Sequence, residues 1–209
     1  TSLQAKGIVT VRKSSAVQVG YSIVTTPVPP PLLPPPAPSE NLNQIRYHWR
    51  NDVGGESAIN SATGGTENTV LKNVSKNETK RLRIEIANKG NANSASTQYR
   101  IEYRIKGSSC GDDTAGTWRD VQLGPQWVMA NDSGGIVNGS ATTNVLVSSG
   151  GVSDEGTPKP APFGYFIDTG SSTPAMTLAT SEFTELEYSI SAGGSAPDGE
   201  TYCFRVTNA

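Results

Sequence analysis

RLRIEI at residues 81–86 and YRIEYRI at residues 99–105 alternate apolar and charged side chains one for one. Successive side chains of a strand point to opposite faces, so a period of two marks half-buried strands. Leu82, Ile84 and Ile86 make the apolar face of the first, against Arg81, Arg83 and Glu85. Tyr99, Ile101, Tyr103 and Ile105 make that of the second, against Arg100, Glu102 and Arg104. Upstream, Ile45, Tyr47 and Trp49 repeat the pattern against Arg46, His48 and Arg50. The expected inward set is Tyr47, Trp49, Leu82, Ile84, Ile86, Tyr99, Ile101, Tyr103 and Phe204, with Arg81, Arg83, Arg100 and Arg104 facing out.

Weaker strand signals follow at 69–74, 117–122, 126–130, 142–148, 163–168, 175–190 and 200–207, punctuated by Gly, Asn and Ser clusters. No segment carries a 3.6-residue apolar stripe of helical length. Many short strands with frequent turn signals predict an all-β, antiparallel, loosely Ig-like sandwich rather than a βαβ fold. Composition divides the chain into residues 1–26, a proline tract at 27–38 and the sandwich at 39–209. The tract, PVPPPLLPPPAP, holds eight of the chain's fourteen prolines. It lacks amide donors and has φ fixed, so it reads as a polyproline II spacer of about 37 Å if fully extended. A PxxP ligand for an SH3-like domain is the alternative, discounted for an exported chain.

The 209 residues carry 17% charged side chains and a net charge of −2. Nothing basic enough to follow a phosphate backbone is present, so nucleic acid is not an expected partner. No apolar run approaches membrane-spanning length. Thr1 is read as the end left by signal-peptide removal during export, with a trimmed chain as the alternative. Cys110 and Cys203 read as a disulfide in an exported protein, and as two free thiols in a cytosolic one. A bridge closing so long a loop stabilises the fold by about 4–5 kcal/mol in the chain-entropy account.

Signals for catalysis are weak. The single histidine, His48, lies on the polar register of a strand and reads as a solvated side chain. No GxSxG elbow accompanies it. Asp112-Asp113 and Asp154-Glu155 lack the spacing of an EF-hand and read as solvated loop charges. No catalytic residue, metal site or cofactor is therefore expected. Asn73, Asn77, Asn131 and Asn138 open Asn-x-Ser/Thr sequons and are candidate glycosylation sites, a pattern of low specificity in so Asn- and Ser-rich a chain.

RYHWRNDVGGES, ENTVLKNVSKNETKRLRIEIANKGN and QYRIEYRIKGSSC, with the C-terminal ELEYSISAGGSAPDGETYCFRVTNA, resemble a β-sandwich domain found in large, mostly uncharacterised bacterial surface proteins. The resemblance covers roughly residues 42–209 and is best at the two ends; residues 120–175 are not diagnostic. It implies export, a Cys110–Cys203 bridge and no known catalytic residues.

The N-terminal segment departs from that domain. Val17, Val19, Tyr21 and Ile23 sit at two-residue spacing, with Val9 and Val11 in the same register. A strand with one apolar face must bury it, and a stiff spacer holds this one away from its own domain. The arrangement resembles the donor strands of pilus-type filaments, in which each subunit completes its neighbour's sheet. It implies a head-to-tail homopolymer at the cell surface. A hairpin packed on its own sandwich, or a strand belonging to another domain of a longer protein, are the competing readings. Two other functions compete with the filament. One is a monomeric surface module binding glycans or receptors, with Trp118 or Trp127 as a platform, although core packing is the preferred role for both. The other is a secreted hydrolase.

Overall fold

The computed structural model describes residues 37–111 and 116–209. Val17, Val19, Tyr21, Ile23, the linker as far as Pro36, and the Asp112-Asp113 pair lie outside the described residues. Ala37–Ala209 is one compact unit.

Three long antiparallel strands form the larger sheet: β1 (Leu42–Asn51), β2 (Thr79–Asn88) and β9 (Glu182–Ala192), in that order. The far edge of β9 is taken in turn by β7 (Thr157–Pro158), β8 (Gly164–Ile167) and β5 (Trp127–Met129), while β6 (Ala141–Thr142) pairs with β8. The smaller sheet runs β10 (Tyr202–Asn208), β3 (Tyr99–Ile105), β4 (Arg119–Asp120). The described residues are thus all-β, and the alternation expected from the sequence sets the register: Trp49 lies opposite Leu82, which lies opposite Tyr188.

The two sheets face each other across one core. Leu82, Ile84, Leu186, Tyr188 and Ile190 from the larger sheet meet Tyr99, Ile101 and Tyr103 from the smaller, all buried. Aromatic edges bridge the layers at one end. Trp127 of β5 lies 4.9 Å from the Phe204 ring of β10, and Trp49 of β1 lies 5.4 Å from the same ring, both edge-on. Tyr47 and Phe204 are only partly buried, because β1 and β10 are outer strands. The Cys110–Cys203 disulfide ties the loop after β3 to β10, with Cα atoms 5.5 Å apart.

Several local expectations are corrected. β1 carries a bulge: Gln44 faces Ile86 but Arg46 faces Glu85, so one extra residue, Ile45, is inserted. Ile45 therefore packs with Ala87, Phe163 and Phe183 on the second face of the sheet, not with Tyr47 and Trp49. Arg81, Arg83 and Arg104 are buried along with their apolar neighbours, because loops roof the outer faces. Residues 69–74 form no strand, 142–148 yield only β6 and a 3-10 turn at Val147–Ser149, and 175–181 precede β9 as an irregular lead-in. The sheet is also mixed rather than purely antiparallel, since β7 and β8 run parallel to β9.

Truncating Ile84, which is fully buried between both sheets, should destabilise the fold by about 2–5 kcal/mol in urea unfolding followed by tryptophan fluorescence. Ile59→Ala, at a position 82% exposed, should shift the same transition by less than about 0.5 kcal/mol. Replacing both cysteines by serine should cost about 4–5 kcal/mol, given the 93-residue separation of the bridge.

Candidate functional site

The outer face of the β1-β2-β9 sheet carries charges where a solvated sheet would, yet no water reaches them. Arg50, Arg81, Arg83, Glu85, Glu185 and Glu187 are all fully buried. Burying an isolated charge is prohibitive, so the loops over this face must supply partners. They do. Arg50 donates from Nη1 to Glu187 at 2.5 Å, from Nε to Asn60 at 2.6 Å, and from Nη2 to the Glu56 and Ala58 carbonyls. Arg81 sets Nε between Asp52 at 3.2 Å and Asp132 at 3.1 Å and donates from Nη2 to the Gly54 carbonyl. Arg83 contacts Glu56 through Nη2, donates from it to the Thr143 carbonyl at 2.8 Å, and places Nε 2.7 Å from Glu185. That last contact is close but poorly aligned for a hydrogen bond, leaving both Glu185 oxygens without a donor.

These environments push the carboxyls apart. Burial drives Glu185 up to about 8, with Arg83 opposing and Glu85, Asp154 and Glu187 reinforcing. Burial likewise lifts Glu85, opposite it across the β2–β9 ladder, to about 7 despite Arg46. Asp132 is raised by burial and by its hydrogen bond with Asp52, which is held low against burial by that bond and by Ser133. Glu56 is also held low, burial being outweighed by Arg83 and Thr143. Asp52, Glu56, Asp132 and Glu187 thus stand around the three guanidiniums of Arg50, Arg81 and Arg83. The layer ties loop backbone and loop side chains to the sheet through one connected set of polar contacts.

His48, expected in solvent, is fully buried beside this layer. Its Nδ1 lies 2.7 Å from the Gly151 carbonyl and its Nε2 2.7 Å from Ser61 Oγ. Burial lowers its pKa, so the ring stays neutral and serves as a clip between loops. Asp154 accepts both contacts of the Asn144 side-chain amide, and Glu155 pairs with Arg46 at 2.7 Å.

A second candidate lies at the opposite layer, along β10. In its ladder with β3, the odd-numbered residues turn their backbone groups toward the partner strand, as does Ala209, whose N–H donates to the Gln98 carbonyl at 2.9 Å. Tyr202, Phe204, Val206 and Asn208 therefore turn theirs to the open side, while the side chains of Tyr202, Phe204 and Val206 face the core. Among the described residues, only the Val206 N–H finds a partner there, the Gln44 side chain at 3.0 Å. Beside this edge the two sheets part over an opening of about 280 Å³ lined by apolar Leu42, Ile86, Tyr99 and Val206 and by polar Gln44, Thr207 and Asn208.

The remaining sequence candidates scatter. Asn73, Asn77, Asn131 and Asn138 are all exposed on loops and are not brought together. Asn138 already accepts the Asp168 and Thr169 N–H groups through Oδ1. Trp127 is buried in the core, whereas Trp118 is half-buried with the Arg104 and Arg205 guanidiniums 4.4 and 4.3 Å from its ring centre. No protein family, curated protein or solved structure matches the chain.

The ionic layer makes stability depend on pH with a defined sign. Folded Glu185 and Glu85 keep their protons to about 8 and about 7, whereas unfolded they lose them near 4.5. The folded chain thus binds more protons across that window, so stability falls as pH rises through it. Neutral His48 acts oppositely, removing stability as pH drops below its ordinary 6.5. Between pH 6.5 and 9 the carboxyls dominate, and unfolding free energy should drop by about 3 kcal/mol, about two thirds of it from Glu185. Glu185→Gln should flatten most of that slope in urea titrations across the range; an unchanged slope would assign it elsewhere.

Proposed function

We propose that this chain is a non-catalytic structural subunit of an extracellular filament, polymerising head-to-tail by donating its N-terminal strand to a neighbouring copy. The observation that supports the reading is the side of β10 that has no strand beside it among the described residues, next to an opening between the sheets lined by both apolar and polar side chains. A β-strand with one apolar face is the ligand that such an edge accepts: backbone hydrogen bonds give affinity, and alternate side chains fill the opening. Residues 17–23 supply that pattern, and the proline tract supplies the reach. The disulfide suits an oxidising compartment, as export requires. The alternative of a glycan-binding platform loses support at Trp118, whose ring is already occupied by two guanidiniums.

Negative-stain microscopy of the native material should reveal filaments. Replacing Val19 and Tyr21 together by Asp should abolish them, because two carboxylates would have to be buried without partners. The variant should remain soluble as a folded monomer. Filaments that persist after deletion of residues 1–26 would overturn the proposal.

A further inference from the structure

We infer that Ser61 is a nucleophilic site with His48 as its general base, and that it accepts an acyl group from small activated esters. The serine lines an opening of about 460 Å³ between the loops beside β1. This role goes beyond the filament reading and does not rest on it, because the chain is here the acceptor of a group and not a catalyst of its turnover.

Donor and acceptor chemistry places the hydrogens. A carbonyl oxygen only accepts, so the His48 Nδ1, 2.7 Å from the Gly151 carbonyl, carries a hydrogen. Burial keeps the ring neutral; Arg50 of β1 and Arg83 of β2 push the same way, while the Gly151 contact and Glu67 of the neighbouring loop oppose. A neutral imidazole has one such hydrogen, so Nε2 is bare, and Ser61 Oγ donates to it at 2.7 Å. The other neighbours of Oγ do not compete for its hydrogen. The Thr63 and Gly65 N–H groups, at 3.2 and 2.8 Å, are themselves donors. The Thr63 hydroxyl is 3.5 Å away and spends its own hydrogen on the Thr66 carbonyl.

A serine hydroxyl against a bare imidazole nitrogen, with the other nitrogen held by an acceptor, is the arrangement that transfers an acyl group to oxygen. A backbone carbonyl takes the orienting place here and fixes the tautomer without adding a negative charge. His48 is fully buried and Ser61 only partly, so the base is shielded from water while the hydroxyl meets the opening. Gly64 and Gly65, left-handed at φ +67° and +79°, line that opening and set no side chain over Oγ. Val53 and Ile59 line it too and are 58% and 82% exposed, an apolar surface for a short aliphatic acyl chain. The two N–H groups on Oγ favour the negative charge that grows there as the proton leaves. In the step itself Oγ bonds to the ester carbonyl carbon while its proton passes to Nε2. Collapse of the tetrahedral intermediate breaks the bond to the leaving oxygen, which takes the proton from Nε2. The products are an acylated Ser61 and a free alcohol.

Reaction of the full chain with p-nitrophenyl acetate tests this. One acetyl group per chain should enter in a fast phase, and peptide mapping should place it on Ser61. Ser148 is the internal reference, since it lines the same opening and is the more exposed of the two. Acetyl groups on Ser148 or on lysines with none on Ser61 overturn the proposal. The rate in the native chain should rise with pH to a plateau, with an inflection below the ordinary 6.5 of histidine, where the buried ring loses its proton. A rate that follows hydroxide concentration instead overturns His48 as the base, and the proposal with it. Ser61→Ala should abolish the fast phase. His48→Asn keeps a donor toward Gly151 but removes Nε2, and should slow acetylation by about 10²-fold or more. Mapping and pH profile use the native chain, so they decide even where a variant fails to fold. Release of p-nitrophenol beyond one equivalent through an acetylated Ser61 supports the site and overturns the non-catalytic part of the filament reading.

Discussion

The β2–β9 ladder has water on neither face, and the rest of the fold answers to that. From Lys80–Ile190 to Ala87–Phe183 the two strands pair without interruption, and almost every side chain between is buried. A strand that alternates apolar and charged residues normally spends its charged face on solvent. Here one face demands a second sheet and the other demands ion partners. The smaller sheet meets the first demand with Tyr99, Ile101 and Tyr103, and the long loops meet the second with Asp52, Glu56 and Asp132. Loop conformation is thereby dictated from beneath. Gly150 sits at φ +100° against the Arg50 side chain, where a Cβ would lie 2.9 Å from Nε, and Gly134 lies so close to the Gly54 carbonyl that no Cβ fits.

The ionic layer explains why a chain with only 17% charged residues places so many of them out of water. Removing one member leaves a buried charge without its counterpart, which costs far more than the intact network contributes. The network therefore fixes the loops to one arrangement more than it adds net stability. The raised pKa of Glu185, about 8, serves the same end, since its carboxyl lies beside Arg83 without a well-aligned hydrogen bond. The aromatic bridge of Trp49, Trp127 and Phe204 does the corresponding work between the sheets.

What the sequence made legible was local periodicity. The alternation at 81–86 and 99–105 gave the strands, their facing and most of the inner core, because a period of two leaves no freedom in which face each residue joins. Ile45 escaped this logic because a single inserted residue reverses facing, and no residue type announces a bulge there. β6 and β7 are two residues each, too short for any period, and exist only because β8 and β9 lie beside them. Burial of the second face was written more faintly: Arg83 lies directly opposite Glu187 and reaches Glu185 diagonally, while Arg81 reaches Glu187, a complementarity visible only once pairing is known. His48 is the sharpest case. Its polar register was readable, whereas the roof over it depends on a loop one hundred residues later, which brings Gly151 to its ring.

An exposed strand edge is a hazard, and folded chains usually blunt theirs with charge, proline, bulges or a covering loop. This one follows that rule nearly everywhere. A bulge interrupts the start of β1, residues 60–68 cover its end, β4 shields β3, and three short strands close β9. Along β10 the devices among the described residues are one glutamine side chain on one amide and one charged side chain, Arg205, paired with Glu102 of β3. A glutamine is a reversible cover: it satisfies the donor, carries no charge to repel an incoming strand, and can be displaced by a carbonyl of equal strength. The strand beneath has no proline, and the opening beside it is lined by Leu42, Ile86, Tyr99 and Val206 together with Gln44, Thr207 and Asn208. Among the described residues β10 is thus the edge that loops and short strands cover least, whereas those of β1, β3 and β9 are closed by neighbouring backbone.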